Sequence, residues 1–137
     1  MIRIFKDADL LLPALADFIV SRSKMAIEKS GRFNFVLSGG SSPKKLYELL
    51  TSASYRNMID WQHVFFFFGD ERYLPLTDKD SNFLMARNTL FGPLHIAGDH
   101  IFPVDTSLKP AEAAASYELK IRHHFHGECA FDLVLLG

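Results

Sequence analysis

Four consecutive phenylalanines, Phe65–Phe68, sit inside the run His63-Val64-Phe65-Phe66-Phe67-Phe68, which Gly69 closes. Six residues are too few for an ordinary helix, and aromatic side chains suit a pleated strand. A strand apolar at every position must be covered on both faces, which places it in the middle of a parallel sheet with helices above and below. The flanking sequence agrees. From Asp9, the residues Leu11, Leu15, Phe18, Ile19, Met25 and Ala26 recur at helical spacing up to a stop at Gly31, with Pro13 near the first turn. Phe33–Leu37 reads as a strand, and Ser42 with Pro43 as the N-cap and first residue of a helix presenting Leu46, Leu49 and Leu50. Beyond the polar stretch Gly69–Lys79, a helix is expected over Ser81–Leu90, a short strand at Ile101-Phe102, and a helix from Pro110 with Ala114, Tyr117, Ile121 and Phe125 on one face. Phe131–Leu136 reads as a further buried strand, and Ile2–Phe5 as a short edge strand. Strands alternating with helices predict an α/β fold, a three-layer, Rossmann-like open parallel sheet.

A length of 137 residues is about 0.9 of a typical domain, so one domain is expected across residues 1–137. Apolar residues at 48% and charged residues at 23% exclude intrinsic disorder. With 15 Lys and Arg against 16 Asp and Glu, the net charge is −1, which removes the basic footprint of a nucleic-acid binder. No uncharged apolar stretch approaches the roughly 18 residues needed to span a membrane. The N-terminus carries no secretory pattern and the single Cys129 excludes an internal disulfide, so a reducing cytoplasm is the expected compartment. The Phe131–Leu136 strand runs to Gly137 with no following helix to cover it, so the domain is expected to be incomplete, truncated at its C-terminus.

Open parallel sheets bind ligands at the carboxyl ends of their strands. Ser38-Gly39-Gly40-Ser41-Ser42 follows the first strand. Glycines admit an anion close to the backbone, hydroxyls add donors and a helix start adds partial positive charge, so the turn suits a phosphate. Lys44 and Lys45, expected in the first turn of that helix, oppose its dipole, a placement that an anionic ligand offsets. The spacing is neither a P-loop nor Gly-x-Gly-x-x-Gly, so nucleotide binding is not supported. Gly69-Asp70-Glu71-Arg72 follows the phenylalanine strand. Asp70 can serve as a base or an orienting acid and Arg72 can fork onto a phosphate or carboxylate, while the plainer alternative is an Asp70–Arg72 salt bridge closing the loop. His123-His124-Phe125-His126 has the composition of a metal tract without its spacing, and no Cys or carboxylate pattern completes a set. It reads as a solvated helix end, and no metal site is expected.

Three stretches in order, Phe35-Val36-Leu37-Ser38-Gly39-Gly40-Ser41-Ser42-Pro43, Phe68-Gly69-Asp70-Glu71-Arg72-Tyr73-Leu74-Pro75 and Asp80-Ser81-Asn82-Phe83, resemble the 6-phosphogluconolactonase family over nearly the whole chain. Gly-Asp-Glu-Arg is the specific element, since the Ser-Gly-Gly turn is shared with related sugar-phosphate isomerases and deaminases. The resemblance implies hydrolysis of 6-phospho-D-glucono-1,5-lactone to 6-phosphogluconate in the oxidative pentose phosphate pathway, with a phosphosugar lactone as partner and no cofactor. It implies that Ser38, Gly39, Gly40 and Ser41 line the substrate pocket, and that Asp70, the catalytic candidate, and Arg72 sit against the sugar acid and its phosphate. In the family, the strand matching Phe131–Gly137 continues into Gly-x-Asp-Gly-His-Thr, whose His activates the attacking water. No such segment stands in this sequence, so the 137 residues alone are expected to be inactive as a lactonase. Two other readings stay open. One is a glucosamine-6-phosphate deaminase-like isomerase, which usually has an aromatic residue where Arg72 stands; the other is a non-catalytic sugar-phosphate-binding fragment.

Overall fold

β1 (Phe33–Leu37) and β2 (Val64–Phe68) pair in parallel along their whole length, Phe33 opposite Val64 and Leu37 opposite Phe68, in a computed structural model that describes residues 1–137. Ile101-Phe102 (β3) extends the sheet beyond β2 and Leu133-Val134 (β4) extends it beyond β1, giving the parallel order β3-β2-β1-β4. Four helices cover it: α1 (Ala8–Ser30), α2 (Ser41–Leu50), α3 (Asn82–Ala86, continued by a π turn over Arg87–Phe91) and α4 (Pro110–Phe125).

The phenylalanine strand lies between two parallel neighbours, as its composition requires. Side chains alternate along a strand, so the run is divided between the two faces. Phe66 and Phe68 join Phe33, Phe35 and Leu37 in a core with α1, α2 and the π turn, where Phe66 meets Phe91 at 5.1 Å and Trp61 stacks on Phe66 at 6.4 Å. Phe67 lies on the α4 side, stacked on Phe102 at 4.6 Å and edge-on to Phe131 at 5.1 Å. Burying one such ring contributes about 1.5–3 kcal/mol, so a single strand ties both helix layers together. Three layers result.

Several boundaries differ from the sequence reading. Ile2–Phe5 forms no strand; Ile2 and Ile4 are exposed, and no ladder of the sheet includes them. Pro13 lies beyond the first turn of α1, so the Asp9 carbonyl loses the amide that would have reached it. Of Phe131–Leu136 only Leu133-Val134 is strand, and it is not buried on both faces: β4 has a neighbour on one side only, and Val134 and Leu136 are exposed. No helix is long and apolar enough to cross a membrane.

The histidine tract is also more than a solvated end. His123 and His126 are exposed, but His124 turns inward, its Nε2 2.8 Å from Asn34 Oδ1 and its ring against Phe65, Phe67 and Phe102. The Asn34 amide in turn donates to Asp132 Oδ2 at 3.3 Å, which fixes the C-terminal end of α4 over the start of β1 and the approach to β4. Burial first, then the Arg32 guanidinium, holds His124 down to about 4 from its ordinary 6.5. Between those values the unfolded chain takes up a proton that the folded chain refuses. Stability is therefore fully present above pH 6.5 and falls as the pH drops toward 4. Denaturant unfolding across that window is expected to show the loss, and His124→Gln to flatten it; an identical slope in the variant would contradict the assignment.

Candidate active site

Chain order proceeds outward from β1 through β2 to β3, then crosses to the other side of β1 for β4. A reversal of strand order of this kind is where open parallel sheets place a ligand crevice, at the carboxyl ends of the strands. A cleft of about 360 Å³ lies there, lined by Ser38, Gly39, Gly69, Asp70, Arg72, Leu135, Leu136 and Gly137. A larger, mostly apolar hollow of about 610 Å³ adjoins it across the Gly69–Tyr73 loop, between α4 and β4. Its charged groups all belong to the shared loop, so polar chemistry concentrates on the smaller cleft.

The first wall is the turn after β1. Ser38 is buried, and the fully buried Tyr47 of α2 fastens it: the Ser38 N–H donates to the Tyr47 hydroxyl at 3.1 Å, and that hydroxyl donates to the Ser38 carbonyl at 2.8 Å. Burial pushes the Tyr47 phenol well above its ordinary range, so it stays a protonated donor. Gly40, at φ 108°, turns the chain into α2, which starts at Ser41. The expected Ser42 cap and Pro43 start are therefore two residues late. The left-handed glycine makes the entry without a side-chain cap, and Pro43 remains where a missing N–H costs nothing. Lys44 and Lys45 consequently fall past the first turn, exposed. The N–H groups of Ser41 and Ser42 have no intrahelical acceptor and sit at the positive end of the helix dipole.

The second wall is the loop after β2. Tyr117 of α4 fastens its base: the Phe68 N–H donates to the Tyr117 hydroxyl and that hydroxyl to the Phe102 carbonyl, both at 2.8 Å. Burial pushes this phenol up to about 12. The expected alternative of an Asp70–Arg72 salt bridge is not formed; the two ion pairs of the molecule, Asp60–His63 and Glu118–Arg122, lie elsewhere. Glu71 is the structural acid instead. Its Oε1 accepts from the N–H groups of Arg72 and Asn82 at 2.7 Å, and its Oε2 from Phe83 N–H at 2.9 Å and the Ser81 hydroxyl at 3.2 Å. It thereby caps α3 and bends the loop so that Asp70 and Arg72 both border the cleft, exposed and without a charged partner.

Of the residues expected at the site, Ser38, Gly39, Asp70 and Arg72 come together. Gly40 and Ser41 stand outside the cleft lining, as the N-cap and first residue of α2. Tyr47, Glu71, Asn82 and Tyr117 support it without a role assigned from the sequence; Glu71 and Asn82 stand in the stretches that carry the resemblance, whereas the tyrosines act across the fold and leave no local pattern. No histidine lines the cleft. Glu71→Ala strips the acceptor from the Asn82 and Phe83 amides and is expected to cost about 1–3 kcal/mol, with faster hydrogen exchange at both. Unchanged exchange there would contradict its capping role.

Residues 6–137 match the family described as glucosamine-6-phosphate isomerases/6-phosphogluconolactonase. The chain is 37% identical over 141 residues to the 6-phosphogluconolactonase of Nostoc sp., covering 99% of this chain and 57% of that protein, and 35% identical over 137 residues to that of Treponema pallidum, covering 98% and 55%. It thus spans about half the length of the curated relatives it matches. Among solved structures, 6-phosphogluconolactonase from Trypanosoma cruzi aligns with a TM-score of 0.85 at 29% identity, over 98% of this chain and 56% of that one. The Thermotoga maritima enzyme aligns with a TM-score of 0.73 at 31% identity, over 82% and 50%. A parallel α/β sheet with these loops at its carboxyl edge, matched almost end to end, belongs to the glucosamine-6-phosphate isomerase/6-phosphogluconolactonase family.

Proposed function

We propose that this domain holds 6-phospho-D-glucono-1,5-lactone, and the 6-phosphogluconate it becomes, in the carboxyl-edge cleft, as part of a 6-phosphogluconolactonase of the oxidative pentose phosphate pathway. One observation carries the reading: an unpaired guanidinium and an unpaired carboxylate share a cleft with the Ser38-Gly39 turn that leads into α2, at the switch point of the sheet. A phosphosugar lactone needs that set. Arg72 forks onto the phosphate or the nascent carboxylate, and Ser38 and Gly39 in the cleft receive the other anionic oxygens, with Gly40, Ser41 and the N-terminal amides of α2 beyond its lining adding their positive field. Asp70 orients the attacking water. Water adds to the lactone carbonyl, the bond from that carbon to the ring oxygen breaks, the ring oxygen takes up a proton, and the acid formed releases one. No electrons are transferred, and no cofactor is assigned. The free, exposed Cys129 suits a reducing compartment such as the cytoplasm.

Because no histidine borders the cleft, the 137-residue chain is proposed to bind the product without accelerating hydrolysis. Calorimetric titration with 6-phosphogluconate is expected to give saturable binding, weakened about tenfold or more by Arg72→Ala through loss of a charge-assisted contact. Acid release from fresh lactone is expected to match the buffer rate. Binding indifferent to Arg72→Ala would refute the site, acid release above the buffer rate would refute the inactivity, and ammonia release from glucosamine 6-phosphate would move the chain to the isomerase branch.

A further inference from the structure

Asn82 is buried, 4% exposed, and its carboxamide stands between the two walls of the cleft. Its Nδ2 donates to the Asp70 carbonyl at 3.2 Å and lies 3.4 Å from Asp70 Oδ1, while its own N–H is held by Glu71. On the opposite side it presses against the turn after β1. A Cβ placed on Gly39 would fall 2.0 Å from Asn82 Oδ1 and 2.5 Å from Asn82 Cγ, closer than carbon atoms approach. The amide therefore fills the volume that a side chain at position 39 would need. Each feature of asparagine is used: a flat group thin enough to lie along a glycine, and a donor aimed at Asp70. Aspartate has the same shape but no donor, and would set a second carboxylate against Asp70; alanine leaves the slot empty.

We propose that Asn82 is a positioning residue that fixes the separation and orientation of the Ser38–Ser41 turn relative to Asp70, with Gly39 as its steric counterpart. The proposal rests on the phosphosugar reading of the cleft and deepens it. A ligand that spans both walls senses their spacing, whereas an anion held by the turn alone does not.

The test compares the 137-residue chain with Gly39→Ala, Asn82→Ala, Asn82→Asp and the Gly39→Ala/Asn82→Ala double variant. Thermal unfolding is read first. Gly39→Ala alone collides with the amide and lowers Tm, but in the Asn82→Ala background the slot is vacant and the same change costs little, so the two effects are non-additive. Additive effects overturn the pairing. Titration is read second. Asn82→Asp, which keeps the volume, is expected to weaken 6-phosphogluconate binding about tenfold, as loss of one hydrogen bond beside a like charge requires, and to leave binding of inorganic phosphate nearly unchanged. A merely structural role would move Tm without separating the two ligands, so equal effects on both, or on neither, overturn the positioning role. If the unaltered chain binds no 6-phosphogluconate, the functional reading fails on its own. The Tm cycle, joined to the amide shift of Gly39 in Asn82→Asp, then still decides the coupling: additivity with an unmoved Gly39 amide refutes it.

Discussion

The in-register pairing of β1 with β2 is the constraint on which everything else at the carboxyl edge depends. The two strands supply both walls of the cleft, since Ser38 follows the last residue of one and Gly69 the last residue of the other, with the Gly69 N–H bonded to the Leu37 carbonyl at 3.1 Å. A slip of one residue would reverse which face each phenylalanine enters and would carry Asp70 away from Ser38. The register is held by side chains. Phe33, Phe35 and Leu37 face the same layer as Val64, Phe66 and Phe68, and a core of this kind tolerates no inversion.

Parallel strands that stop together leave polar backbone groups at their ends, and burying these without partners is costly. Two tyrosines on opposite helix layers meet that requirement in the same way. Tyr47 takes both polar groups of Ser38, and Tyr117 joins Phe68 N–H to the Phe102 carbonyl. No buried side-chain nitrogen or oxygen is left without a partner. The loops beyond are then held by Glu71 and Asn82, which leaves the Asp70 carboxylate and the Arg72 guanidinium free of ion pairs. Structural polar groups are saturated and the chemically useful ones are left open, the distribution expected of a site that binds a charged ligand.

Much of this was legible in the amino-acid order, because the period of apolar residues and the placement of glycines are local signals. The bounds of β1 and the central position of the phenylalanine strand follow directly from them, and so does the carboxyl-edge location of Ser38 and Asp70. What escaped depends on partners distant in sequence. The Ile2–Phe5 alternation resembles a strand, but a strand exists only where a neighbour accepts its hydrogen bonds. Phe131–Leu136 is apolar at every position but Asp132, yet its strand lies at the edge of the sheet, since strand order is set by crossovers and not by composition. Asp70 and Arg72 look like a natural ion pair until Glu71 draws the loop onto α3. His124 reads as one of three surface histidines until the helix direction turns it onto Asn34.

The central claim is that ligand chemistry resides where β1, β2 and β4 end, and not in the larger apolar hollow beside α4. Backbone amide shifts recorded while 6-phosphogluconate is added to the chain test this most directly. The largest changes are expected at Ser38–Ser41 and Gly69–Arg72, with the amides of His123–His126 and the π turn unmoved. Changes centred on Ile121 and Phe131, or spread evenly over the chain, would contradict it.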